Sequence, residues 1–249
     1  MSERADGRNA EDDLMRLIRA IVRGDKQSAA KLVAKQPLLA RQSISIGATR
    51  EAAADFFFNE IKHYVYAGDT PLHAAAAAYR VEIAQELLKH GADVTAANRR
   101  GAQSLHYAVD GVPGSRHWNP EAQAKMIALL INAGADPNAL DKSGVTPLHR
   151  AVRQRCAAAV DSLLRNGSSV RLKNGNGSTP LHLAVQNTGR GGTGSPESKA
   201  LQKAIIGLLL SAGADLQDCN ARGKTVRECA KSDWIRPASR RQCPLIFTA

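Results

Sequence analysis

Apolar residues along the chain form short helix-like runs that are separated by polar turns containing glycine. The run from Leu14 to Val33 has the pattern of two helices joined at Gly24-Asp25. Four later runs each follow a tetrapeptide of the Thr-Pro-Leu-His type, and these tetrapeptides begin at Thr70, Gln103, Thr146 and Thr179. Threonine can cap free amide groups and proline fits the first helical position, so each tetrapeptide predicts the start of a helix.

The spacing of these tetrapeptides indicates a repeat with insertions. Thr70 and Gln103 are 33 residues apart, as are Thr146 and Thr179, whereas Gln103 precedes Thr146 by 43. A last, shortened unit begins at Thr225, which is 46 residues after Thr179. The two longer intervals contain segments rich in glycine, proline and serine, which predict loops at 111–120 and 188–200. A further stretch of about 22 residues is inserted before Thr70.

The repeated unit resembles the ankyrin repeat family. Each copy combines the Thr-Pro-Leu-His motif with a Leu-Leu pair such as Leu87-Leu88 and a closing glycine such as Gly91. A single unit cannot bury its apolar face alone, so the units must stack. The resemblance covers residues 67–232 and implies an all-α ankyrin-repeat solenoid with short β-turn fingers.

The resemblance also predicts how the chain is organised. We expect a flexible N-terminus at 1–12 and a degenerate N-terminal capping repeat with an enlarged, aromatic-rich turn at 13–66. Four repeats are expected to follow at 67–99, 100–142, 143–175 and 176–222. The second and fourth of these carry the inserted loops. A truncated C-terminal cap and a basic tail are predicted at 223–249.

Aromatic side chains are concentrated in the insertion before Thr70. Five of the ten aromatic residues of the chain lie between Phe56 and Tyr66. The favoured interpretation is packing between the capping repeat and the first regular repeat, and contact with a partner is the alternative. Three consecutive phenylalanines cannot all face one side of a helix or strand, so we expect at least one to face solvent or to meet another surface.

The chain has a formal net charge of +11, and the basic excess lies in its second part. Residues 138–249 contain 17 Lys and Arg against 7 Asp and Glu. Such a half attracts acidic proteins, nucleic acids or membrane surfaces. No apolar run is long enough to span a bilayer, the start of the chain has no apolar signal core, and the cysteines lack a Cys-x-x-Cys spacing. We therefore predict a cytoplasmic protein without a membrane span.

Histidines recur at one position of the repeat, namely His73, His106, His149 and His182. Equivalent positions on stacked helices are about 8–10 Å apart, whereas zinc ligands lie about 2 Å from one ion, so we predict no metal site. The resemblance implies that these histidines hydrogen-bond the turns. We also predict no cofactor and no catalytic residue. An enzyme would need a pocket under the 111–120 loop that gathers Tyr107, Asp110 and His117.

The remaining candidate site is a recognition surface. By resemblance, ankyrin arrays bind partners with their turn tips and with the exposed side of the first helix of each repeat. In this chain those positions carry Arg99, Arg100, Tyr107, Lys142, Arg150, Arg153, Lys173, Arg222 and Lys224. We predict a non-catalytic, monomeric scaffold whose concave face binds a protein with an acidic surface. Binding of nucleic acid through the basic half is the alternative.

Overall fold

The computed structural model describes residues 2–115, 118–186 and 194–230. Within these ranges the regular secondary structure is almost entirely helical, which confirms the predicted all-α repeat solenoid. Its α-helices are α1 Ser2–Arg23, α2 Lys26–Lys35, α3 Pro71–Ala77, α4 Val81–Lys89, α5 Ser104–Ala108, α6 Pro120–Asn132, α7 Pro147–Arg153, α8 Ala157–Arg165, α9 Pro180–Ala184, α10 Pro196–Ser211 and α11 Val226–Cys229. The same ranges contain 3-10 turns at Pro37–Arg41 and Ala54–Phe56, and a hairpin of β1 Phe57–Phe58 and β2 His63–Tyr64.

The repeats stack as two layers of helices. The first helices of successive repeats, α3, α5, α7 and α9, pack one on the next, and so do the second helices α4, α6, α8 and α10. At the N-terminal end α1 packs against α3, and α2 packs against α4. Ala75, Ala76 and Ala151 are fully buried, which allows the first helices to approach closely. Leu87 and Leu163 are fully buried on the second helices.

The repeated tetrapeptides start their helices as predicted. Before α3, the hydroxyl and the backbone N–H of Thr70 donate to Nδ1 of His73 at 2.9 and 3.1 Å, and Pro71 occupies the first turn. Nε2 of the same ring donates to the carbonyl of Ala102 in the next repeat at 3.1 Å. Each imidazole therefore joins a helix start to the neighbouring turn. Equivalent contacts recur at His106, His149 and His182.

Backbone hydrogen bonds join the turns between repeats into a continuous row. We call the segments 98–101, 141–144, 174–177 and 220–223 the turn tips. The bonds run from the amide of Lys142 to the carbonyl of Arg100 at 3.0 Å, from Gly175 to Ser143 at 2.9 Å, and from Ala221 to Asn176 at 3.2 Å. Because each tip is bonded to the next, the tip side chains are held at intervals along one edge of the solenoid.

Where the sequence predicts a flexible segment at 1–12, the structure describes helix α1 from Ser2 onward. The sequence between Ser2 and Arg23 contains no proline that would interrupt a helix. Its polar part also contacts the capping repeat. Glu11 accepts a hydrogen bond from the hydroxyl of Ser45 at 3.0 Å, and Asp13 accepts one from the side-chain Nε2 of Gln36 at 2.8 Å. These contacts hold the helix against the segments that follow it.

The insertion before Thr70 folds back along itself. The amide of Ile44 donates to the carbonyl of Asp69 at 2.8 Å, and the amide of Ala48 donates to the carbonyl of Val65 at 2.7 Å. Ile44 and Val65 are both buried in the main core. The two ends of the insertion are therefore paired, and its middle is presented as a hairpin.

The hairpin at the middle of the insertion carries the aromatic cluster. Phe57 stands opposite Tyr64, and Phe58 stands opposite His63. The ring centroids of Phe57 and Tyr64 are 4.7 Å apart. All three consecutive phenylalanines are half-buried, and Phe58 packs against the main core. Phe58 thus packs within the protein, whereas Tyr64 is 39% exposed, and contact of the cluster with a partner stays the alternative prediction.

The predicted loop at 188–200 ends too late. Residues 187–193 lie outside the described residues, but α10 already begins at Pro196. The hydroxyl of Ser195 accepts a hydrogen bond from the amide of Ser198 at 3.2 Å and caps this helix. Serine followed by proline favours a helix start, which the glycine-rich composition of the segment conceals. The predicted basic tail lies outside the described residues beyond 230, as do residues 116 and 117 of the other loop.

Gly47 makes the insertion sensitive to a single methyl group. A Cβ at this position would overlap the backbone of Tyr66 and Ala67, which cannot move without opening the paired ends. We expect Gly47→Ala to lower the free energy of unfolding by about 1–3 kcal/mol, the usual cost of overpacking. Urea unfolding of the variant measures this change.

Gly207→Ala is the matched control, because a methyl group at that position in α10 meets open space. Removing a glycine from a helix interior is expected to stabilise the protein by about 1 kcal/mol. If Gly47→Ala were as stable as the wild type, the paired ends of the insertion would not be as tightly packed as we describe.

Candidate functional site

Each turn tip is held by an asparagine or aspartate side chain at its first position. Oδ1 of Asn98 accepts hydrogen bonds from the amides of Arg100 and Ala102 at 2.9 and 3.1 Å. The same arrangement recurs at Asp141, Asn174 and Asn220. Asp141 is the only acid of these four, and its acceptor capacity is used inside its own turn and by Arg150. The tips are therefore rigid and carry few available negative charges.

Most of the predicted binding residues are exposed cations along this edge. The exposed ones are Arg99, Arg100, Lys142, Arg153, Lys173, Arg222 and Lys224. Within the part of the chain that the structure describes, the ion pairs involve other cations, and none of these seven has an ion-pair partner. Their charges are therefore available to a partner.

Arg99 and Arg100 link the first turn tip to the insertion. Their guanidinium carbons lie 5.5 and 5.1 Å from the ring centroid of Tyr66. Arg100 Nη1 donates to the Tyr66 hydroxyl at 3.2 Å, and Arg99 Nη2 donates to the carbonyl of Ala48. Cation–π contacts hold an arginine in place without neutralising its charge. The first tip therefore presents ordered positive charge.

Tyr107 is not displayed on the surface, contrary to the sequence prediction. It is 2% exposed, and its hydroxyl donates to Asp69 Oδ2 at 2.8 Å and accepts from Asn98 Nδ2 at 2.8 Å. The imidazole of His63 covers its ring, with centroids 4.4 Å apart. Burial and the neighbouring charge of Asp69 raise the pKa of Tyr107 above its usual range. Tyr107 therefore supports the hairpin from beneath, because the insertion occupies the space over it.

Arg150 is also engaged within the protein, which corrects the expectation that it is freely presented. Its side chain is 12% exposed, and its Nη1 and Nη2 donate to Asp110 and Asp141 at 3.2 and 3.3 Å. Burial opposes the ionisation of Asp110, but the hydrogen bond from His63 and the charge of Arg150 hold the pKa of this carboxyl below its usual range. Arg150 thus joins α7 to the preceding repeat.

His63 attaches the hairpin to this charged network. Its Nε2 lies 3.3 Å from Oδ2 of Asp110, and its Nδ1 lies 2.6 Å from the carbonyl of Tyr64. Both partners can only accept, so both ring nitrogens donate and we assign a doubly protonated imidazole. Burial alone would lower the pKa of His63, but the hydrogen bond and charge of Asp110 raise it above its ordinary value. The hairpin is therefore held by a charged contact.

A cavity of about 190 Å³ lies between the hairpin and the exposed side of the first helices. Its wall includes Lys62, His63, Tyr66, Arg100, Arg150 and Arg153. We call this cavity the basic pocket. It brings together two parts of the predicted surface, the first turn tip and α7, with a hairpin that sequence reasoning did not place there.

A second cavity, of about 430 Å³, lies between the hairpin and the loop that follows α5. Tyr79, Asp110 and Trp118 line it, which is the place where an enzyme site was considered. Tyr107 is bonded to the buried Asp69 instead, while Asp110 pairs with His63 and Arg150. His117 lies outside the described residues. Tyr107 and Asp110 therefore bind different partners and do not converge on this second cavity.

Comparisons with known proteins decide the family. The model described as "Ankyrin repeats (many copies)" matches residues 130–184, and the model described as "Ankyrin repeat" matches residues 67–99 and 176–222. The chain belongs to the ankyrin repeat family. Ankyrin repeats generally mediate protein–protein interaction, so the exposed tips of this ankyrin array are a candidate protein-binding surface.

The similar curated proteins are much longer than the region that matches. Mouse ankyrin repeat and SOCS box protein 16 is 40% identical over 119 residues, which are 47% of this chain and 25% of that protein. Mouse B-cell lymphoma 3 protein homolog is 35% identical over 160 residues, 60% of this chain and 30% of that protein. The E3 ubiquitin-protein ligase KEG of Arabidopsis thaliana is 36% identical over 121 residues, 47% of this chain and 7% of the ligase. Ankyrin relatives are generally non-enzymatic, and the match to the ligase is partial.

The residues that hold the tips and the hairpin were missed by sequence reasoning, although one signal was available. Asn98, Asp141, Asn174 and Asn220 are separated by 43, 33 and 46 residues, the same intervals that separate the tetrapeptides. A short polar side chain that recurs in register points to a turn-forming role. No comparable signal marks His63, because it lies in an insertion that has no counterpart in the other repeats.

Proposed function

We propose that this chain is a non-catalytic scaffold that binds an acidic surface of a partner protein along its turn tips and the exposed end of α7. The observation that carries the proposal is the row of exposed cations, Arg100, Lys142, Arg153 and Lys173, which have no ion-pair partner among the described residues. A surface of one sign attracts a partner of the opposite sign and raises the association rate.

The rigidity of the tips supports this proposal. Backbone hydrogen bonds connect successive tips, and an Asn or Asp side chain orders each tip internally. A surface that is already ordered loses less conformational entropy on binding than a mobile one. The carboxylates nearest to the face, Asp110 and Asp141, are engaged by Arg150 and oppose an acidic partner weakly.

Affinity capture from a native extract tests the proposal. We expect the triple variant Lys142→Glu/Arg153→Glu/Lys173→Glu to lose a protein that the wild type retains after nuclease treatment, because three available cations become repulsive. All three residues are exposed, so the fold should persist. Arg150 is left intact, since its replacement would break a buried pair.

The matched control reverses three exposed charges on the outer helices α2 and α6, in the variant Lys31→Glu/Lys35→Glu/Lys125→Glu, at positions that also have no ion-pair partner among the described residues. The proposal requires this control to retain the partner. Retention of the same protein by both variants would move the binding surface away from the tips. Loss of all captured material on nuclease treatment would instead support the nucleic-acid alternative.

A monomeric state and a cytoplasmic location belong to this proposal as predictions. In the described ranges the structure has no helix with the length and apolar character of a membrane span. Size-exclusion chromatography of the purified chain checks the first prediction, and imaging of the tagged protein in its native cell checks the second.

A further inference from the structure

We propose that the basic pocket binds a phosphorylated side chain of the partner protein. This inference rests on the proposed function and names the acidic group that the partner presents. The pocket has a volume of about 190 Å³, whereas one water molecule occupies about 30 Å³ in the liquid. It can therefore hold a compact charged group rather than a single water.

The charge balance of the pocket favours an anion. His63 and Arg150 are compensated by Asp110 and Asp141, which they contact directly. Lys62, Arg100 and Arg153 also line the pocket, and none of these three has an ion-pair partner among the described residues. Three uncompensated cations around one small cavity create a strong local positive potential.

The pocket is also partly preorganised. Arg100 is held by the hydroxyl of Tyr66 at 3.2 Å, and Arg150 is fixed by its two carboxylates. A guanidinium that is already fixed in place loses less conformational entropy when it binds an anion with several acceptor oxygens.

The excess charge matches a phosphate monoester better than a carboxylate. A phosphorylated side chain carries about −1.5 to −2 charge at pH 7 and has three strong acceptor oxygens. A single carboxylate would leave most of the positive charge of Lys62, Arg100 and Arg153 uncompensated. Arginine also matches phosphate geometry through paired N–H donors.

The aromatic rings of the pocket favour a protein ligand over a nucleic acid. His63 covers the ring of Tyr107, and two arginines lie against Tyr66. Single-stranded nucleic acids are bound by aromatic rings that are free to stack on bases along a basic groove. Two of the pocket's rings are thus already engaged, so the pocket offers a site for one anionic group rather than a series of stacking sites for a strand.

An NMR titration tests the pocket directly. The probes are N-acetyl-O-phosphoserine amide and N-acetyl-aspartate amide at constant ionic strength. We expect the phosphoserine probe to give saturable shifts of the amides of Lys62, Arg100 and Arg153, and to bind about fivefold or more tightly than the aspartate probe. Equal binding of the two probes would overturn the proposal.

Two variants with the same loss of charge distinguish binding in the pocket from attraction of the probe by the net charge of the protein. Lys62→Gln/Arg153→Gln is expected to weaken the phosphoserine probe about tenfold, because it removes two of the uncompensated cations. Lys173→Gln/Arg222→Gln removes two exposed cations outside the pocket and should change the affinity by less than about twofold. Equal weakening by both variants would show that the probe senses net charge only and would contradict the proposal.

Phosphatase treatment of the extract separates this inference from the proposed function. The inference requires that the wild type loses its captured partner when the extract is dephosphorylated. If capture survives dephosphorylation but is lost with the triple tip variant, the proposed function stands and the phosphate inference fails. If a short single-stranded oligonucleotide displaces the phosphoserine probe more effectively than a phosphopeptide from the captured partner does, the pocket serves nucleic acid and the inference is wrong.

Discussion

Asp110→Ala is expected to lower the free energy of unfolding by about 3 kcal/mol, because it removes the shared partner of two largely buried cations. Oδ2 of Asp110 lies 3.3 Å from Nε2 of His63 and 3.2 Å from Nη1 of Arg150, and the Asp110 side chain is 16% exposed. Arg150 keeps Asp141, whereas His63 loses its only carboxylate contact within the described residues. We therefore expect the hairpin to detach before the repeats unfold. Urea unfolding measures the loss, and hydrogen exchange across 57–64 measures the detachment.

Two control variants show whether the loss of stability comes from the charge of Asp110 and from its buried position. Asp110→Asn keeps the shape of the side chain and removes its charge, so it separates packing from electrostatics. Asp161→Ala breaks an exposed pair with Arg165, whose atoms are 3.0 Å apart, and exposed pairs contribute less than about 1 kcal/mol. If Asp110→Ala lowered the free energy of unfolding no more than Asp161→Ala does, Asp110 would not be the residue that holds His63 and Arg150 together.

Acidification from pH 7 to about pH 4 is expected to destabilise the ankyrin array by about 3 kcal/mol. The ring of His106 accepts at Nδ1 from the amide of Gln103 and donates from Nε2 to the carbonyl of Val145, so it is neutral in the folded protein. Burial and the charge of Arg150 lower the pKa of His106 from 6.5 to about 4. This difference corresponds to about 3 kcal/mol between protonation of the folded and of the unfolded chain.

Whether acid stabilises or destabilises the protein follows from the direction in which folding shifts the pKa of each histidine. The contribution of His106 is fully present above pH 6.5 and is lost as the pH falls towards about 4, because the unfolded chain takes up the proton first. Burial likewise lowers the pKa values of His73, His149 and His182, which adds loss in the same direction. His63 acts oppositely. Its raised pKa stabilises the hairpin below 6.5, and this contribution is lost as the pH rises through the folded value.

Urea unfolding over this pH range measures the effect, and His106→Gln provides the control. This variant is expected to be less stable than the wild type at pH 7, since the contacts with Gln103 and Val145 are weakened. Its stability should fall less steeply with acid, because one titrating group is gone. A slope equal to that of the wild type would show that His106 is not the group that takes up the proton.

The repeat could be predicted from the sequence because its physics is local. Thr70, Pro71 and His73 are neighbours in the chain, and the capping contacts between them follow from the tetrapeptide. The interval of 33 residues then places each copy on the next. Even the exposed cation at Lys142 follows from its register, because the equivalent tip residues Arg99, Gly175 and Ala221 are exposed as well.

The docking of the insertion could not be predicted in this way. Residues 44–66 have no register with the repeats, so the sequence does not indicate which face the hairpin covers. That missing contact explains the error at Tyr107, which was expected on the face and lies beneath His63. The error at Arg150 has another cause, because its partners Asp110 and Asp141 belong to the repeats and not to the insertion.

The pairing of Asp110 with Arg150 could nevertheless be predicted from the positions of these residues in the repeat. Asp110 follows His106 by four residues, and Arg150 follows His149 directly. Arg150 lies on the first helix α7, and Asp110 follows the end of the first helix α5, which packs on α7. Opposite charges at such positions in consecutive repeats can form an ion pair. On this ground Arg150 could have been predicted to pair with Asp110 rather than to be available to a partner.

Hydrogen exchange of the array in complex with its captured partner tests the central claim most directly. We predict protection of amides at the turn tips 98–101, 141–144 and 174–177 and in the hairpin 57–64, since these segments border the exposed cations and the basic pocket. The outer helices α4, α6 and α8 should exchange as they do in the free chain. Protection confined to those outer helices, with the tips unchanged, would contradict the account and place the partner on the opposite side of the solenoid.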